Sequence, residues 1–106
     1  MPVLMIAEQP KLDQGTYALV LEQLMPLLHS ANGFMYHAGG PSPAGGIRMV
    51  EVWESEADSR KFFNENLKPN LPPGIVPELA YYELHAAFAR KGARALARNA
   101  HPRPFR

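Results

Sequence analysis

Glu51 and Trp53 stand two residues apart in the run Ile47-Arg48-Met49-Val50-Glu51-Val52-Trp53, and in an extended chain that spacing sets a carboxyl beside an indole on one face. In a water-poor pocket such a carboxyl is driven toward its neutral form and becomes able to give or take a proton. A second run, Tyr81-Tyr82-Glu83-Leu84-His85, puts Tyr81, Glu83 and His85 on one side by the same alternation, with Tyr82 and Leu84 on the other. Imidazole titrates near neutrality, a carboxylate can hold its tautomer, and a phenol can donate to a developing enolate oxygen. His37, in Phe34-Met35-Tyr36-His37-Ala38, is a further proton carrier, expected to share a face with Met35 while Tyr36 and Phe34 take the other. The catalytic set expected from residue type and spacing is therefore His85, His37, Glu51 and Tyr81. Each has a plainer alternative: Glu51 as an interface ion-pair partner, and the Tyr81 row as hydrogen-bonding groups in a contact between two chains.

Other chemistries find less support. No two histidines stand four apart on a helical stretch, so no metal is expected. His29 falls near a helix end, where a cation complements the macrodipole, and His101 lies in the tail. The absence of cysteine removes disulfides and thiolate nucleophiles, and no nucleophile elbow surrounds a serine. The loop Gly39 to Gly46 is rich in glycine, but it precedes a strand rather than the helix a phosphate site requires.

The elements that must position these residues follow from periodicity. Val3 to Ala7 is apolar without alternation, which predicts a central strand covered on both faces. Tyr17, Val20, Leu21, Leu24 and Leu28 recur at helical spacing, predicting a helix from Thr16 to about Met25, bent or ended by Pro26. A short second strand is expected over 34–38, a glycine–proline hairpin loop over 39–46, and a third strand over 47–53. Ser55 with Asp58 reads as a capping box opening a second helix to about Leu67, with Phe62, Phe63 and Leu67 at core spacing. The prolines at 69, 72, 73 and 77 predict an extended connection before a fourth strand over 79–88.

Strand, helix, strand, strand, helix, strand with right-handed crossovers closes as a ferredoxin-like α+β fold, an antiparallel sheet with both helices on one face. A first strand apolar on both sides then calls for cover on the helix-free face, most simply the same face of a second copy, giving a homodimer. A chain of 106 residues with 46% hydrophobic content suits one domain, expected over 1–88. A basic C-terminal extension is expected over 89–106: it holds six of the eleven basic residues, and no acid follows Glu83. With Phe105 as its one aromatic, that extension reads as solvated or docked on a partner, without nucleic-acid or membrane binding. The apolar start is too short for a signal peptide, and no run nears the ~20 residues of a membrane span, so a cytoplasmic protein is expected.

The segment Arg48-Met49-Val50-Glu51-Val52-Trp53-Glu54-Ser55-Glu56, followed by Phe62-Phe63 and by Tyr81-Tyr82-Glu83-Leu84-His85, resembles the dimeric α+β barrel superfamily. It is closest in style to the antibiotic biosynthesis monooxygenases, over about residues 3 to 88. The resemblance implies a pocket between sheet and helices in which Trp53 matches the pocket-lining tryptophan of the monooxygenase-like members. Tyr36, Phe62 and Phe63 are expected to join Trp53 in holding substrate. The function implied is a cofactor-independent tailoring enzyme oxygenating an aromatic or polyketide-like small molecule. One alternative is a cyclase or isomerase working by acid–base catalysis in the same pocket; another is a non-catalytic binding or assembly module. The Phe62 to Asn66 stretch has no histidine and the first strand no asparagine, which argues against the haem-degrading members.

Overall fold

The computed structural model describes residues 1–88. The expected extension over 89–106 lies outside the described residues. The element order is β1 (Val3–Gln9), α1 (Gln14–Ser30), β2 (Phe34–Pro41), β3 (Ile47–Trp53), α2 (Glu56–Phe62) and β4 (Glu78–Glu83). A π-helical turn (Phe63–Leu67) and a 3-10 turn (Lys68–Asn70) follow α2. The four strands form one antiparallel sheet in the order β2-β3-β1-β4, the arrangement expected of a ferredoxin-like α+β fold.

Helix α1 starts where Asp13 accepts a hydrogen bond from the Thr16 backbone N–H at 2.7 Å, a cap that satisfies one orphan donor of the first turn. It runs through Pro26 to Ser30 rather than stopping there. Pro26 forfeits one backbone bond near the helix end, on an exposed face, and Leu28 just beyond it is buried and anchors the last turn on the sheet. Gly33, at φ 81°, then turns the chain into β2, where an added Cβ would strike the Asp58 carboxylate. Helix α2 is capped as expected, Ser55 Oγ accepting from the Asp58 N–H at 3.1 Å. It ends five residues earlier than expected, widening into the π turn that carries Phe63 and Leu67.

Strand β2 departs from expectation in two ways. It extends through Gly39, Gly40 and Pro41, which pair with Met49, Arg48 and Ile47; β2 is an edge strand, so the missing proline N–H costs no ladder bond on its outer side. It also carries a bulge between Phe34 and Tyr36. The extra residue breaks strict alternation, so Phe34 and His37 both face the helices, where Phe34 packs on Trp53 and His37 meets Glu51. The expected sharing of one face by Tyr36 and Phe34 is thereby corrected.

The core has two neighbouring clusters on the helix side, one around Met5, Ala7, Leu12, Ile47 and Met49, the other around Val3, Leu28, Trp53 and Phe62. On the helix-free face the register aligns two apolar rows across all four strands: Tyr36-Val52-Leu4-Tyr82 and Ala38-Val50-Ile6-Ala80. Beyond them lies a polar row in which Arg48 pairs with Glu8. The aliphatic members of both rows are half-buried, and Tyr36 and Tyr82 are 52% and 54% exposed. Among the described residues no helix is long and apolar enough to cross a membrane.

Candidate active site

Antiparallel register decides which side chains meet above the sheet. His37 pairs with Glu51, Glu51 with Met5, and Met5 with Tyr81, so three of the four expected catalytic residues fall in a single cross-strand row on the helix face. The fourth does not join them. β4 ends at Glu83, and His85 lies beyond it in a bend, exposed, with Glu83 also exposed. The strand expected over 79–88 is five residues too long at its C-terminal end, so the alternation that would have aligned His85 with Tyr81 stops short of it.

Within the row a continuous hydrogen-bond chain forms. Trp53 donates its indole N–H to Glu51 Oε1 at 2.8 Å, and Glu51 Oε2 lies 2.7 Å from His37 Nδ1. His37 Nε2 lies 2.7 Å from the hydroxyl of Tyr17, a residue of α1. The partners fix the tautomer: an ionised carboxylate only accepts, so Nδ1 carries the proton, and Nε2 is left to accept from the Tyr17 hydroxyl. Both carboxylate oxygens are thus satisfied, as a charge on a residue only 8% exposed requires. Burial, and then the Glu51 charge, push the Tyr17 hydroxyl up to about 12, so it remains a neutral phenol at ordinary pH.

Tyr17 is legible in the sequence only as one of several apolar residues at helical spacing. What places it is Gly39: an added Cβ there would lie 2.2 Å from the Tyr17 hydroxyl oxygen and 2.8 Å from Cζ. The absence of a side chain on β2 lets the phenol rest against the sheet and reach His37.

The chain borders a cavity between sheet and helices. Tyr17, His37, Glu51 and Tyr81 line it, together with Phe62 and Phe63, two of the four residues expected to hold substrate. Trp53 does not line it; it is fully buried beneath, packed between Phe34 and Phe62. Its role here is to orient Glu51. Tyr36 stands on the opposite face of the sheet, away from the cavity, because the bulge rotates it outward. The two residues depart for different reasons: strand alternation assigns a face, while depth, for Trp53, and the bulge, for Tyr36, decide whether the side chain meets the cavity. Tyr81 sits at the far end of the row, roughly 14 Å from His37 at three strand spacings. It shares a 2.8 Å hydrogen bond with Ser59 Oγ, and the Arg60 guanidinium stacks 4.6 Å from its ring centre. Burial raises its pKa too.

The space open to water is about 30 Å³, room for one or two water molecules. Ordinary ligand pockets hold ~300–1,000 Å³, so a ligand enters only if the wall gives. The π and 3-10 turns, Phe63–Leu67 and Lys68–Asn70, supply Phe63 and Leu67 to the wall, and Leu71 follows directly after them. π turns of this kind recur at functional sites. No group of three or more potential metal ligands clusters among the described residues.

No protein-family model matches the chain, and no curated protein matches it. Solved structures do match in fold. SnoaB, a cofactor-independent oxygenase from Streptomyces nogalater, is 11% identical with a TM-score of 0.57, covering 84% of this chain and 98% of its own. An inferred monooxygenase from Shewanella loihica is 18% identical at a TM-score of 0.54, over 81% of this chain and 96% of that one. The chain shares the α+β fold of these two structures. A protein of unknown function from Nitrosomonas europaea shares it as well, at 17% identity and a TM-score of 0.59, over 86% and 95% of the two chains.

Proposed function

We propose that the cavity binds an aromatic or polyketide-like small molecule and that Tyr17, His37 and Glu51 remove its most acidic proton, beginning a cofactor-independent oxygenation. The observation that carries this reading is the unbroken chain from Tyr17 through His37 to Glu51 on a mostly apolar wall. A raised phenol pKa makes a free-standing tyrosinate costly, so Tyr17 cannot act alone. It takes the substrate proton on its oxygen while passing its own proton to His37 Nε2, and the resulting imidazolium is stabilised by the Glu51 carboxylate. Tyr17 is then the residue that touches substrate; His37 and Glu51 act through it.

The substrate carbanion so formed reacts with O2. A C–O bond forms as oxygen is reduced to the peroxide level, and the peroxide anion takes a proton back through Tyr17. Loss of the substrate's remaining hydrogen with hydroxide, as water, then leaves a carbonyl. Two electrons leave the substrate in forming the peroxide, and two more reach oxygen when the O–O bond breaks. The fold of SnoaB, itself a cofactor-independent oxygenase, supports this reading.

Oxygen uptake by the full chain with a panel of polycyclic phenols tests it. The expected result is one O2 consumed per product, with turnover falling by ~10²-fold or more in Tyr17→Phe and His37→Ala. Turnover without oxygen uptake would point instead to a cyclase or isomerase, and tight binding without turnover to a binding module.

The same reading includes a homodimer closed over the helix-free face. Its two apolar cross-strand rows, bounded by the Arg48–Glu8 row, match the self-complementary surface a two-fold contact needs. Light scattering of wild type and of Val50→Glu is the test: a dimer for the first and a monomer for the second are expected, and a monomeric wild type removes this part of the reading.

A further inference from the structure

Every cavity-facing polar group of the row described above has a partner within the chain. Tyr17 is bonded to His37, Glu51 to His37 and Trp53, and Tyr81 to Ser59. The exception among the described residues is Gln9, whose side-chain oxygen Oε1 is buried with no hydrogen-bond partner, in a residue only 2% exposed. Gln9 is the last residue of β1 and lines the cavity. It also borders a second, more open pocket of about 240 Å³ formed with Pro10, Lys11 and residues Gly74 to Val76.

An amide oxygen that no protein donor meets costs the folded state part of its hydration and keeps a free acceptor for whatever enters the cavity. A leucine would fill similar space without that cost. Proteins retain such groups where binding requires them. From this we infer that Gln9 is a ligand-binding residue that recognises a hydroxyl on the substrate, at the end remote from Tyr17. This rests on the proposed function only in that the cavity takes a small aromatic molecule.

The register gives the separation. Gly39, over which the Tyr17 hydroxyl lies, pairs with Met49, and Met49 with Ala7; Gln9 is two residues beyond Ala7 on the same face. Two strand spacings across and two residues along amount to roughly 12 Å between the backbones, shortened by the reach of the Gln9 side chain. The ligand chemistry that fits has two polar poles joined by a flat apolar body, a fused-ring phenol bearing a second hydroxyl. A hydroxyl meets the need of Oε1 because it donates, which a carbonyl or ether oxygen cannot do.

Two measurements on the full chain test the assignment. Calorimetric titration with 2-naphthol and with 2,6-dihydroxynaphthalene should show the diol binding wild type about tenfold more tightly. In Gln9→Leu that preference should fall below about twofold, with 2-naphthol affinity retained. Thermal unfolding without ligand should show Gln9→Leu melting about 4 °C or more above wild type, because the unmatched oxygen is gone. A diol preference that survives in Gln9→Leu, or a wild type that binds both probes equally, overturns the assignment while leaving the proposed function standing. A fall in the melting temperature of Gln9→Leu also overturns it, by showing a structural role. If neither probe binds wild type, the aromatic-ligand reading falls and takes this inference with it.

Discussion

Gly39→Ala isolates the contact on which the proton chain depends. The new Cβ would sit 2.2 Å from the Tyr17 hydroxyl oxygen and 3.0 Å from Met49 Cγ, in a strand residue whose φ is not positive, so the backbone itself accepts alanine. To restore an ordinary contact the phenol oxygen must retreat by about 1 Å. From its 2.7 Å separation it then passes the range of a sound hydrogen bond to His37. Leaving Nε2 buried and unmatched costs about 1–3 kcal/mol, and an angstrom of misplacement at a reacting group costs ~10²-fold in turnover. The control is next door. A Cβ added to Gly40 would meet nothing within 4 Å, so Gly40→Ala should be neutral or stabilising by about 0.4–1 kcal/mol. Urea unfolding of both variants, alone and combined with Tyr17→Phe, reads the difference. Part of the Gly39→Ala loss should disappear in the Tyr17→Phe background, where the clashing oxygen is absent. Equal stability of the two alanine variants, with additive effects in the double mutant, would refute the claim that Gly39 exists to seat Tyr17.

Stability should also depend on alkaline pH. Tyr17 is held at about 12 against an ordinary value of 10.0, so the folded chain binds its proton more tightly than the unfolded chain does. That contribution is complete below pH 10 and is lost as pH rises toward 12, with Tyr81 adding in the same direction. Equilibrium unfolding across this window should show the fall, and Glu51→Gln should lower the Tyr17 titration followed by tyrosinate absorbance; a profile flat throughout argues against a buried neutral phenol. Trp53→Phe keeps the aromatic packing but removes the N–H that Glu51 Oε1 accepts, and denaturant midpoints should report a loss of about 2–3 kcal/mol. Ser55→Ala removes the α2 cap and should cost about 1 kcal/mol in the same assay, with no change in the Tyr17 titration.

Much of this architecture is legible without coordinates. The order of elements, the Ser55 cap, the inward pairing of Glu51 with Trp53 on β3, and the apolar character of both sides of β1 all follow from local rules of spacing and propensity. Local rules fail where the chain changes its own period. The bulge in β2 reverses the facing of Phe34, and the early end of β4 leaves His85 outside the row that Tyr81 joins. β2 runs longer than its composition suggests because glycine and proline stop a central strand but not the free side of an edge strand, and a sequence does not say which strand is at the edge.

The sequence by itself determined that Glu51 and Trp53 share one face of β3 and that His37, Glu51 and Tyr81 could carry protons, because side-chain direction along a regular strand is a property of a few neighbouring residues. Only the tertiary structure decided who meets whom. Tyr17 and His37 are twenty positions apart, and His37 and Glu51 fourteen. Their contact depends on strand register, on how α1 is seated over Gly39, and on the depth to which Trp53 sinks. The same holds for Gln9, whose lack of a partner is visible only once every neighbour is in place. Each of these is set by packing between distant segments, and periodicity carries no record of it.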